Sequence, residues 1–194
     1  MKKIIPWNLN DLKSVNPKVK YGCAKKLVAA AKEDPSALFP QIDFFVELLD
    51  SSNQILKWTA IDIVGYMIKA DKEKKVDRLL GRLCGFLNDG KLITAGHAAT
   101  ALAGIARVKP EYGDRIAKEL MQVERYKYDT AECRNIALGI GIQALGSFYD
   151  GLDIKGKHAV REFVKRQVNS RRPATGKKAE QFLKNTKTKQ FFNK

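Results

Sequence analysis

Val19, Cys23 and Leu27 form an apolar stripe at helical spacing, and the stripe keeps returning along the chain. It recurs as Ile55, Thr59 and Ile63, then as Ile93, His97 and Ala101, as Cys133, Ala137 and Gly141, and finally as Thr175, Ala179 and Leu183. The leading residues stand at positions 19, 55, 93, 133 and 175, so they are separated by 36, 38, 40 and 42 residues. An internal period of this length leaves room in each unit for two antiparallel helices, which are too few to bury their own apolar faces. Consecutive units must therefore stack and share a core.

The segments between the stripes supply the first helix of each pair. They lie between stripe-bearing helices, the first of which opens at Asn16-Pro17, an N-cap residue followed by proline at the first helical position, and runs to the Asp34-Pro35 break. A helix from about Gln41 to Leu49 carries Ile42, Phe45, Val46 and Leu49 on one face, and Asp50 to Asn53 is the turn after it. Asp71 to Asn88 reads as a helix with Val76, Leu80, Leu83 and Leu87 apolar, closed by Asp89-Gly90. Pro110 starts another, with Ile116, Leu120 and Val123. Trp7, Leu9 and Leu12 suggest a short helical cap at the N-terminal end. No stretch reads as a strand.

The turn-plus-helix segments Asn16-Pro17-Lys18-Val19-Lys20, Asn53-Gln54-Ile55 and Thr130-Ala131-Glu132-Cys133-Arg134 resemble the second helix of HEAT repeats. The basic residue after the marker in that family is present as Lys20 and Arg134, whereas Leu56, Thr94 and Gly176 occupy the position elsewhere. The resemblance covers roughly residues 9 to 185. It implies an all-α, right-handed superhelix (an armadillo-like α-solenoid) of about five HEAT-like helix pairs, with first helices convex and second helices concave. The repeats would span 4–33, 35–70, 71–108, 110–150 and 152–187 in one domain. Residues 188–194 would be a flexible basic tail, with Phe191 and Phe192 disordered or else docked on the array.

In that register the positions two and six after the marker should face solvent. They are Tyr21 and Lys25, Ala95 and Ala99, and Asn135 and Gly139. The expected partner groove comprises Trp58, Asp62, Ala95, His97, Ala99, Asn135 and Gly139, a small-residue floor that would admit a partner's backbone or helix. The alternative is that adjacent repeats curl tightly and cover it. Trp58 and Asp62, at i and i+4, also invite comparison with HEAT-like DNA alkylation-repair glycosylases. That second resemblance implies a stacking role for Trp58 and a charge-stabilising role for the Asp62 carboxylate; an interface tryptophan beside a solvated aspartate is the other reading.

The formal charge of +15 is concentrated at one end. Residues 155 to 194 hold thirteen Lys and Arg against Glu162 and Glu180, a net +11, which leaves +4 for the other 154 residues. Lys157, Arg161, Lys165, Arg166, Arg171, Arg172, Lys177 and Lys178 are the candidate patch for an acidic protein or a nucleic acid. A solvated cationic face is the alternative.

Two nucleotide-like motifs are poor matches. Gly151 to His158 nearly spells a phosphate-binding loop, but His158 stands where a hydroxyl residue should hold Mg²⁺ and no strand precedes it. An inter-helix connection explains it, with a local anion site at a helix start as the remaining functional option. Gly139-Ile140-Gly141-Ile142-Gln143-Ala144 falls inside a helix, where glycine permits close packing.

Cys23, Cys84 and Cys133 are odd in number and widely spaced, and His97 and His158 are the only histidines, so neither a disulfide framework nor a metal site is expected. The run Ile136 to Ile142 is too short to span a membrane, and Met1-Lys2-Lys3-Ile4-Ile5 meets Pro6 before a signal sequence can form. These features point to a cytoplasmic protein without a cofactor. The expected function is a non-enzymatic scaffold for an acidic protein partner. Nucleic-acid binding, including glycosylase-like chemistry, and a self-associating homodimeric module are the other readings.

Overall fold

The computed structural model describes residues 8–192, with side chains through residue 186; Trp7 and the side chains of Phe191 and Phe192 lie outside the described residues. The chain is an all-α helical repeat, and no strand occurs among the described residues. Helices pack against their neighbours in chain order, and the fold divides into two compact units, one up to Gly81 and one from Arg82.

In the N-terminal unit a 3₁₀ turn, Leu9–Lys13, precedes α1 (Pro17–Glu33). The Asn16 side chain accepts a hydrogen bond from the Lys18 amide at 2.9 Å, satisfying one of the donors that a helix start leaves open. A four-residue helix, α2 (Pro35–Leu38), follows at once and buries Leu38 completely. The sequence reading has no helix there, because four residues show no periodicity. Then come α3 (Ile42–Leu48) and α4 (Gln54–Met67), the latter capped by Asn53, whose side chain accepts from the amides of Ile55 and Leu56. Helix α5 (Lys75–Gly85) starts four residues later than expected, because Asp71 is not its first residue but its cap. Both Asp71 carboxylate oxygens accept backbone amides, Lys75 at 2.9 Å and Val76 at 2.8 Å.

The C-terminal unit contains α6 (Leu92–Val108), α7 (Gly113–Met121), α8 (Ala131–Gly146), α9 (Ile154–Gln167) and α10 (Pro173–Phe192). Thr130 caps α8 through the Cys133 amide at 3.0 Å, and Asp153 caps α9 through the Gly156 amide. Within this unit α6 packs on α8 and α8 on α10; in the first unit α1 packs on α4.

Burial carries the repeat register. Twelve residues after each of the first four markers stand Ala31, Met67, Ile105 and Leu145, and five after stand Ala24, Ala60, Ala98 and Leu138, all buried; five after the last marker stands Glu180, which is exposed. Four of the five markers lie at the rim, whereas Thr175 is buried. Val19, Ile55 and Ile93 are 43%, 40% and 53% exposed, and Cys133 is half-buried rather than inward-facing. These four residues sit in the first turns of their helices.

Polar contacts join residues about one repeat apart. In the first unit the Asn53 side-chain amide donates to the Tyr21 hydroxyl at 3.2 Å, and Lys75 pairs with Asp43 at 3.2 Å. In the second unit Lys91 pairs with Asp129 at 3.0 Å, and the Tyr128 hydroxyl donates to the Leu87 carbonyl at 2.7 Å. The Thr175 hydroxyl donates to the Asn135 carbonyl at 2.7 Å.

Two glycines on second helices have opposite environments. A Cβ on Gly176 would lie 2.7 Å from the Val168 carbonyl oxygen, so the α9–α10 turn closes only because that position is bare; at Gly22, nothing lies within 4 Å. Gly176→Ala should therefore destabilise the chain by about 1–3 kcal/mol. Gly22→Ala should stabilise it by about 0.5–1 kcal/mol, because alanine is the better residue in a helix interior. Urea denaturation midpoints of the two variants, moving in opposite directions from wild type, check both.

Candidate functional site

The eight cations predicted to form one patch do not behave alike. Arg166 on α9 pairs with Glu124 at 2.9 Å and lies over the Phe163 ring, and Arg172 pairs with Glu132. Lys165 binds Glu162 at 2.6 Å, and this hydrogen bond holds the Glu162 carboxyl below its usual range. Arg161 donates to the Thr186 hydroxyl at 2.8 Å and Lys178 to the Gln143 side chain at 2.9 Å, so both keep their charge uncompensated. Lys157 is half-buried, while Arg171 and Lys177 are exposed and form no ion pair among the described residues. Three of the eight predicted cations are thus neutralised within the chain by Glu124, Glu132 and Glu162, and five are not.

The start of α9 is closed to an external anion. The Asp153 carboxylate takes the Gly156 amide, and the Asp114 carboxylate of α7 lies against the bare face of Gly156. Two carboxylates stand where a phosphate would have to approach, and their charge repels one. The loop-like spelling of Gly151 to His158 is an inter-helix connection.

The expected groove floor is also covered. Ala95 and Ala99 are each only 3% exposed. Gly139 is buried, and a Cβ there would meet the Thr175 hydroxyl oxygen at 2.9 Å and the Lys178 Cδ at 3.4 Å, both on α10. Asn135 is half-buried beside the same Thr175. In α6 and α8, positions two and six after the marker are therefore flanks along which neighbouring helices pack, and small residues there let the helices approach, whereas Lys25 of α1 is exposed as expected. The outward face lies about a third of a turn away, at the marker and at three and seven residues beyond it. In α1 these positions are Val19, Gly22 and Lys26, and in α6 they are Ile93, Gly96 and Thr100.

Trp58 and Asp62 do occupy that outward face of α4, one turn apart, both half-buried and both engaged in interactions within the chain. His97 is half-buried and likewise engaged, at a repeat position where Cys23, Thr59, Ala137 and Ala179 are buried.

Sequence reasoning missed the cationic character of α1. Its 17 residues hold Lys18, Lys20, Lys25, Lys26 and Lys32 against Glu33 alone. Averaging charge over 154 residues hid this, because acids on other helices cancel it; summing by helix would have found it.

Among the described residues no group of three side chains is placed to hold a metal ion, and no helix is long and apolar enough to cross a membrane. Burial, with Glu119 nearby, pushes the Cys84 thiol up to about 11, and burial with Asp11 nearby raises Cys23. Neither thiol is therefore a ready nucleophile at neutral pH. No family model, curated protein or solved structure matches the chain.

Burial, and secondarily Tyr126, pushes the Tyr128 hydroxyl up to about 12. Only the neutral phenol can donate to the Leu87 carbonyl. The stabilising contribution of the folded state's raised pKa is complete below about pH 10 and is lost as pH climbs towards 12. Tyr128→Phe should cost about 1 kcal/mol at pH 7 and should flatten the fall in stability between pH 10 and 12, as read from denaturation midpoints across that range.

Proposed function

We propose that this chain is a HEAT-like repeat scaffold, without a catalytic role, that holds an acidic partner through the basic surface of α9 and α10. The observation that carries the reading is the cation surplus left after internal pairing. Arg161 and Lys178 bind neutral side chains, and Arg171 and Lys177 project without an ion pair among the described residues, so positive charge remains for a partner to neutralise. The helix pairs beneath supply a rigid support, since α10 packs on both α8 and α9.

Poly-L-glutamate at low ionic strength is the direct probe. Arg171→Glu with Lys177→Glu should weaken its binding by about tenfold or more, with the loss shrinking as salt rises. Equal affinity of wild type and the double variant would end this reading.

A second reading, a nucleic-acid duplex as the acidic partner, is favoured by one observation. Apart from Ile154, the described surface of α9 and α10 exposes no large hydrophobic side chain. Phosphate recognition requires cations but no apolar anchor, whereas protein interfaces concentrate their energy in such anchors. Failure of wild type to bind duplex DNA at low salt would remove this second reading.

A further inference from the structure

We propose that the outward face of α1 and α4 is a second docking surface, and that its occupant is an acidic amphipathic helix of a partner protein. The inference rests on the scaffold reading above but assigns contact to a different part of the chain with a different surface chemistry. Of the six exposed large hydrophobic side chains among the described residues, Val19 at 43% and Ile55 at 40% open α1 and α4, and Val15 at 97% stands two residues before α1. The Asn53–Tyr21 hydrogen bond sets the first turn of α4 beside α1. Along α4, Ile55 is followed on the same face by Trp58 and Tyr66, both half-buried, at intervals of three and eight residues. This stripe is about 16 Å long, close to three helical turns.

Charge identifies the occupant. Lys18, Lys25, Lys26 and Lys32 are exposed on α1 and form no ion pair among the described residues. Four uncompensated ammonium groups beside an apolar stripe disfavour a second copy of the same face, which would set lysine against lysine. They favour carboxylates alternating with apolar side chains at helical spacing. A nucleic acid would satisfy the lysines and could stack on Trp58, but it would gain nothing from Val15, Val19 and Ile55. Gly22, with open space above it, lets an incoming helix sit close to α1.

Three labelled synthetic peptides of about 18 residues, five helical turns, test the proposal with the full chain. One carries leucine on one face and glutamate on the other, one leucine and lysine, and one glutamate with serine in place of leucine. Fluorescence anisotropy should show the leucine–glutamate peptide bound and the other two at least about tenfold weaker. Trp58→Ala and Lys25→Glu with Lys26→Glu should each lower its affinity about tenfold or more, while Arg171→Glu with Lys177→Glu leaves it unchanged. Both lysines are exposed, so the charge-reversed variant keeps the test valid if Trp58→Ala does not fold.

No binding of the leucine–glutamate peptide, or equal affinity in the Lys25 and Lys26 variant, overturns the proposal. So does tighter binding of single-stranded DNA of the same charge to this face. A loss confined to the Arg171 and Lys177 variant overturns it while leaving the C-terminal reading in place, and loss of poly-L-glutamate binding alone does the reverse.

Discussion

Each helix pair has an apolar face that it cannot bury by itself, and the helix-to-helix contacts that cover it organise everything else in this protein. On α6 and α8 the covered flank positions are small. Ala95, Ala99 and Gly139 lie on such flanks, and the Thr175 hydroxyl sits where a Cβ on Gly139 would have to go. Small flanks cost helix propensity, yet they bring α8 and α10 close enough for Thr175 to reach the Asn135 carbonyl. The same requirement explains why so many polar contacts join residues about one repeat apart. Once the apolar faces are stacked, equivalent positions in successive pairs are neighbours, and complementary side chains there fix the spacing.

Those contacts also decide which charges remain for a partner. Glu124 and Glu132 each meet an arginine of the last helix pair, so part of a conspicuous basic segment is already committed to holding the array together. The lysines of α1 meet no such partners among the described residues, although the surrounding sequence is close to neutral overall. Net charge per segment therefore misleads in both directions. It overstates the free cations of α9 and α10 and hides those of α1, because an ion pair depends on which helices touch and not on which residues are near in sequence.

The repeat was legible because the stripe residues have the right chemistry at the right interval. The five second helices begin within two residues of their markers, with Asn16, Asn53 and Thr130 as side-chain caps. The errors have specific causes. Helix α2 is too short to show a period, and Asp71 has the composition of a helix residue while serving as a buried cap. The solvent face was placed on the flank because a stripe identifies one direction around a helix, whereas a helix such as α8 is packed on several sides, by α6, α7 and α10. Both glycines of the Gly151 to His158 segment fit a phosphate loop until Asp114, which lies about forty residues earlier in the chain, is seen to fill the space.

By itself the sequence determined that the chain is helical, that it is built of about five related pairs, and which residues cap most of the second helices. These properties follow from local spacing and backbone hydrogen bonding, which a linear pattern records. Only the tertiary structure decided which small residues are bare and which are covered, which cations are neutralised, and that the exposed apolar residues of α1 and α4 lie beside unpaired lysines. Each of these depends on what a neighbouring helix brings to within a few ångströms, and one repeat's sequence does not specify where its neighbour's side chains end.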